Sequence, residues 1–120
     1  MVAPQRLDDA CFAVPATRAM AAHPRVSAVS VLCSEDRAAL WNTVPGIGTI
    51  TFPPASRPAA IAAAVEDAGG KFAAALAWEP GRAAEALNSA VIRRRFGPEN
   101  PAMGRGFRAL PVTRKPGPVQ

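Results

Sequence analysis

One histidine and two cysteines are all the imidazole and thiol ligands that 120 residues offer a metal or a redox centre. That excludes a four-cysteine zinc site, a two-histidine site and a disulfide-stapled scaffold. Long hydrophobic runs are also missing. The longest, such as Phe72 to Trp78, falls far short of the ~20 apolar residues that span a bilayer. The opening residues, Met-Val-Ala-Pro-Gln-Arg-Leu-Asp-Asp, hold no apolar core of a secretory signal and turn acidic at once. A cytoplasmic, reducing setting follows as the expectation, with Cys11 and Cys33 as buried free thiols.

Glycine is absent where nucleotide chemistry needs it. A dinucleotide fold requires a Gly-rich first loop so that the pyrophosphate can approach the backbone. Here that loop is Ala3-Pro-Gln-Arg-Leu-Asp-Asp9, without glycine. Gly46 and Gly48 precede a strand pattern instead of following one, and Thr51 stands where a third glycine would. Neither a Walker A loop nor a Gly-x-Ser-x-Gly elbow occurs. A phospho-receiver needs an Asp after its third strand, and there the chain runs into Phe52-Pro53-Pro54. No cofactor and no metal is therefore expected.

What the chain does have is enough apolar content, 49%, for the core of one domain. The net charge of +5 is unevenly placed. Residues 1–92 carry seven basic and eight acidic side chains, whereas residues 93–120 carry seven basic ones against Glu99 alone. Proline and glycine recur from Gly97 onward. The sequence thus divides into a near-neutral body over 1–97 and a Pro/Gly-rich basic tail over 98–120, expected to be disordered. Arg93-Arg94-Arg95 and Gly104-Arg-Gly-Phe-Arg108 have two readings: a surface for nucleic acid or anionic membrane, with Phe107 free to stack, or a solvated extension. Seven basic residues in 28 are sparse, so nucleic acid is not expected, while peripheral membrane contact stays open.

Before the tail, helical and extended patterns alternate. Asp8 and Asp9 sit at the cap and first turn of a helix that Pro15 should kink and Pro24 ends. Val26 to Cys33 reads as a strand, Ala38 to Val44 as a short helix, and Thr49 to Phe52 as a strand. Ser56 can cap a helix over 57–68, with Pro58 in its first turn. Phe72 to Trp78 has the continuous apolar character of a strand buried on both faces. Arg82 to Ala90 is helical, and Val91-Ile92-Arg93 begins a last strand. The alternation predicts an α/β fold: a three-layer, Rossmann-like parallel sheet flanked by helices. Only its first strand is poor, since Val2-Ala3 runs at once into Pro4.

The ordered series of motifs resembles the ADP-heptose:lipopolysaccharide heptosyltransferases, glycosyltransferase family 9. The opening Val2-Ala-Pro-Gln-Arg-Leu-Asp-Asp, followed by Pro15-Ala-Thr-Arg-Ala-Met20, is similar to that family's strand, Arg-Leu-Gly-Asp stretch and Pro-Ala-x-Arg-Ala-Leu helix. His23-Pro24 with the next strand, Val44-Pro-Gly-Ile-Gly-Thr-Ile-Thr-Phe52, and Ala73 to Gly97 continue the likeness over about residues 2–97. The resemblance implies the N-terminal half of a GT-B architecture, which receives the acceptor sugar, with the donor nucleotide-sugar bound by a separate domain. The chain departs from the family at Asp8, which stands in place of a glycine, at the short first strand, and in the donor domain that its length leaves out.

By that resemblance Asp9 is the general base for the acceptor hydroxyl, and Arg6 and Arg57 are acceptor-binding residues; Glu79, at the C-terminal end of a strand pattern, joins them by its place at the crevice of such a sheet. The partner implied is a glycan or lipopolysaccharide-type acceptor, met at the inner face of the membrane. The same residues have plain readings. Asp8 and Asp9 gain from a helix dipole, Arg57 and Arg6 are solvated loop charges, and Glu79 is a turn residue. His23 reads as a surface residue at a helix end, and Trp41 and Trp78 as core or edge packing. A non-catalytic binding module and an inactive gene remnant are the competing functional readings.

Overall fold

The fold is described from a computed structural model, over residues 1–69, 71–88, 90, 92, 94–97 and 107–109. Helices and strands alternate. Helix α1 (Leu7–Ala22) leads to β1 (Val29–Ser34), a 3-10 turn (Glu35–Arg37) and α2 (Ala38–Asn42). Then come β2 (Ile47–Phe52), α3 (Pro58–Asp67), β3 (Ala74–Leu76), α4 (Arg82–Ala86), β4 (Arg94–Gly97) and β5 (Phe107–Ala109). The chain is thus a mixed α/β fold with short parallel sheets, β1 beside β2 and β3–β4–β5 in that order. Each pair is parallel because a helix or long connection carries the chain back before the next strand starts.

The weak first strand is the joint between the two sheets. Val2 forms parallel bridges to Leu32 on one side and to Ala77 on the other. The Val2 amide donates to the Leu76 carbonyl at 2.7 Å, and the Ala3 amide to the Leu32 carbonyl at 2.9 Å. The Leu32 amide donates to the Met1 carbonyl at 2.7 Å. Residues 1–3 therefore place all described strands in the spatial order β2, β1, Val2, β3, β4, β5. Three residues suffice because both neighbours share their hydrogen bonds, whereas an edge strand that short would have one partner only.

Side-chain alternation along the strands feeds two cores. Val2 and Leu32 join Ile61, Ala62 and Val65 of α3 and Ala84 and Ala86 of α4. Ala3, Val31 and Cys33 point the other way, to Ala10 and Ala13 of α1 and to Trp41 of α2. Helix α1 buries Ala10, Ala13 and Thr17, one narrow stripe at helical spacing. Small residues there let the helix lie close to the sheet. Trp41 is fully buried and fills the gap between α2 and the strands.

Several sequence expectations need correction. Phe107–Ala109, expected within a disordered tail, forms β5 and pairs with Arg95–Gly97 of β4. The rest of the tail lies outside the described residues. Phe107 is half-buried against the α3/α4 core with the Arg95 guanidinium 5.5 Å from its ring centroid, so it is engaged and not free to stack a base. Helix α1 runs on through Pro15, and its N-cap is Arg6, with Asp8 and Asp9 in the first turn. Ser56 does not cap α3: its hydroxyl donates to the Pro53 carbonyl and Arg57 takes the N-cap position. The last strand begins at Arg94, after residues 91 and 93 that lie outside the described set. Cys11 is exposed on α1, while Cys33 is buried as expected. No helix among the described residues is long and apolar enough to cross a membrane.

Candidate functional site

In a parallel sheet the loops that matter leave the C-terminal ends of the strands. A crevice opens where neighbouring strands send their connections to opposite sides. Here that point is the pair formed by Val2 and β3. The connection after Val2 becomes α1, which packs with β1, and the one after β3 becomes α4, which packs with α3. A cavity of about 270 Å³ sits at this place, lined by Pro4, Asp9, Phe12, Ala13, Trp78 and Glu79.

Each wall has a local cause. Asp9 stands in the first turn of α1, where an acidic side chain gains from the helix dipole. Its own amide donates to the side chain of Asp8, at 3.0 Å from Oδ1, within the same first turn. The Asp9 carboxylate is left facing the cavity and solvent. Glu79 leaves β3 at its C-terminal end, and its Oε1 accepts a 2.6 Å hydrogen bond from the Gln5 amide. One carboxylate oxygen is thereby occupied and the side chain is fixed across the crevice. Phe12, one helical turn on from Asp9, is 82% exposed, and Trp78 is 38% exposed. The Trp78 indole N–H donates to Met1 Sδ at 2.9 Å, which holds the ring at the rim.

Two carboxylates and two exposed aromatic faces around one small cavity form a particular chemistry. Carboxylates accept hydrogen bonds from hydroxyl groups, and aromatic faces cover apolar C–H surfaces. The cavity suits a polyhydroxylated ring better than an anion, which both carboxylates repel.

Of the residues singled out from sequence, the fold brings Asp9 and Glu79 together across 70 positions. Arg6 and Arg57 lie elsewhere. Arg6 pairs with Asp8 at 3.1 Å on the open surface, a contact worth little in water. Arg57 is exposed at the N-cap of α3 and lines neither this cavity nor the neighbouring one. His23 is exposed, as expected, and its Nδ1 accepts from the Arg25 amide at 3.1 Å.

No family model, curated protein or solved structure matches this chain.

Sequence reasoning missed a second cavity, about 290 Å³, beside the first and sharing Pro4 with it. It lies over the ends of β1 and β2 and takes in Ser34, Asp36, Arg37 and Arg82. Ser34 to Arg37 carry cap chemistry in sequence, and Ser34 does stand at the N-cap of the 3-10 turn with Glu35 and Asp36 in its first turn, although its hydroxyl donates to Asp36 Oδ1 and caps no backbone amide. The available signal was positional. Ser34, Asp36 and Arg37 lie at or just past the end of β1, where crevice-lining residues of parallel sheets occur; Arg82 opens α4 after the Pro80-Gly81 break. Cys33 also touches this cavity, but burial, reinforced by the Asp36 charge, pushes its thiol up to about 11. At neutral pH it is a packed thiol and no nucleophile.

Among the described residues no group of three or more His, Cys, Asp or Glu side chains is arranged to hold a metal ion.

Proposed function

We propose that this chain is the acceptor-binding half of a heptosyltransferase-like glycosyltransferase, taking a glycan or lipopolysaccharide-type acceptor in the cavity between Asp9 and Glu79. The observation that carries the reading is the meeting of those two carboxylates with Phe12 and Trp78 at the C-terminal ends of Val2 and β3. The finer fold belongs to the same proposal: a Rossmann-like layer of parallel strands with α1 and α2 on one face and α3 and α4 on the other, one half of a GT-B enzyme. The strand order β2, β1, Val2, β3, β4, β5 supports it, being the doubly wound order counted from Val2 as the first strand.

In this reading Asp9 accepts the proton of the acceptor hydroxyl as that oxygen bonds to the anomeric carbon, while the nucleoside diphosphate leaves the donor. Glu79, fixed by Gln5, holds a second hydroxyl and so orients the ring. Phe12 and Trp78 cover the ring's apolar face. Arg6 and Arg57, outside the cavity, contact outlying acidic groups of a larger acceptor. The donor sits on a separate body, and the chain by itself binds without turning over, at the cytoplasmic face of the membrane.

Tryptophan emission tests the binding step. Trp41 is fully buried, so an added sugar reports through Trp78. Titration with a lipopolysaccharide-core oligosaccharide is expected to give a saturable change that Phe12→Ser weakens. A flat titration overturns the reading. With a donor-binding chain and a nucleotide-heptose added, transfer that is as fast in Asp9→Asn as in the parent removes Asp9 from the mechanism.

A further inference from the structure

The cavity over β1 and β2 has a chemistry opposite to that of the acceptor cavity. Two guanidinium groups line it, Arg37 from the 3-10 turn after β1 and Arg82 from the start of α4, against the single carboxylate of Asp36. The remaining wall is mostly apolar or neutral, with Phe52, Pro54 and Ala83.

The two arginines are incompletely used. Arg37 is largely covered, its side chain 28% exposed, and its Nε is buried without a hydrogen-bond partner among the described residues. Its contact to Asp36 is loose, 3.8 Å from Nη1 to Oδ2. Asp36 meanwhile accepts the Ser34 hydroxyl through its other oxygen. Arg82 has no carboxylate within ion-pair distance among the described residues. The covered Nε of Arg37 lies out of a ligand's reach, but its terminal Nη groups, held among the described residues only by the loose Asp36 contact, form a planar fork suited to a bidentate oxyanion. The lining keeps one net positive charge after Asp36 is counted.

We propose that this crevice binds a small organic oxyanion through its phosphoryl or carboxylate group, clasped between Arg37 and Arg82. The volume of about 290 Å³ lies at the lower end of ligand pockets, which fits a charged head with a body of about one ring against Phe52 and Pro54. The site stands apart from the glycan reading: it shares Pro4 with the acceptor cavity but neither carboxylate.

Amide chemical shifts of the full chain, followed during titration with inorganic phosphate and separately with acetate, test it. Saturable shifts of the Ser34 and Ala83 amides are expected with at least one of the two, and the tighter ligand tells phosphoryl from carboxylate. Arg82→Gln, on an exposed side chain that the fold does not need, should weaken binding about tenfold. Asp36→Asn should tighten it, because it removes the competing charge. Arg18→Gln, an exposed arginine on α1 away from the crevice, should leave it unchanged. Absence of saturable shifts with both anions, equal affinity in Arg82→Gln, or weaker binding in Asp36→Asn overturns the proposal. None of these outcomes depends on sugar binding.

Discussion

Glu79 holds the backbone amide of Gln5 with a 2.6 Å hydrogen bond to its Oε1, across 74 positions of sequence. The bond ties the loop after Val2 to the loop after β3. It fixes the partition between the two cavities, since Gln5 lines one and Glu79 the other. The Gln5 side chain then lies against Gly81, where a Cβ would come within 2.6 Å of Nε2. A single acidic side chain thus shapes both candidate sites from the rim.

Replacing that acceptor has a graded effect. Glu79→Ala leaves the Gln5 amide to water and should cost about 1 kcal/mol, while Glu79→Gln keeps a carbonyl acceptor and should cost less. Thermal melts of the two variants check the order. An alanine variant as stable as the parent contradicts the bond's structural role.

Phe12 and Ile61 should separate function from packing. Phe12 is 82% exposed, so Phe12→Ser should change stability by no more than about 0.5 kcal/mol. Ile61 is fully buried against Val65 and Leu32, and Ile61→Ala should cost about 2–5 kcal/mol. Urea denaturation midpoints give both values. A large loss for Phe12→Ser would make it a packing residue and remove it from the acceptor wall.

The turn after β2 stores strain that glycine relieves. Ala55 has φ 63°, in the left-handed region, and the Ser56 amide donates to the Pro53 carbonyl at 3.2 Å. With Pro54 before it, Ala55 holds the position of a type II turn that favours glycine. Ala55→Gly should stabilise the fold by about 0.5–1 kcal/mol, the relieved clash outweighing the added freedom of the unfolded chain. A lower denaturation midpoint in this variant would show that the turn is unstrained.

The two thiols should differ sharply. Cys11 is exposed and should react at once with a thiol reagent in the native state, whereas Cys33 should react only on unfolding. Burial raises the Cys33 thiol from 9.0 to about 11, with the Asp36 charge adding to the rise. The folded state therefore holds this proton more tightly than the unfolded one. The resulting stability is fully present below pH 9 and is lost as pH rises from about 9 to about 11. Denaturation midpoints across that window should fall less steeply in Cys33→Ala than in the parent.

Much of this was legible in the chain. Pro24, Pro45-Gly46, Pro53-Pro54 and Pro80-Gly81 punctuate the sequence, and between them helical and extended patterns alternate. Local propensity and turn chemistry fix that order, and the order demands parallel strands, since each is separated from the next by a helix or long connection. The absence of a glycine-rich first loop, of paired histidines and of long apolar runs is equally a property of sequence alone.

Tertiary structure decided which strands are neighbours, and with them the site. Val2 looks too short for a strand, yet two flanking partners supply it with hydrogen bonds on both sides. Phe107–Ala109 looks like tail, yet β4 offers an open edge that captures it. Asp9 and Glu79 are strangers in sequence and share a cavity, while Arg6 and Arg57, equally promising as residue types, stay outside it. Residue type and spacing report what a segment prefers over a few positions. Strand adjacency is set by hydrogen bonds and packing between segments far apart in the chain, and the crevices at the strand ends exist only once that adjacency is in place.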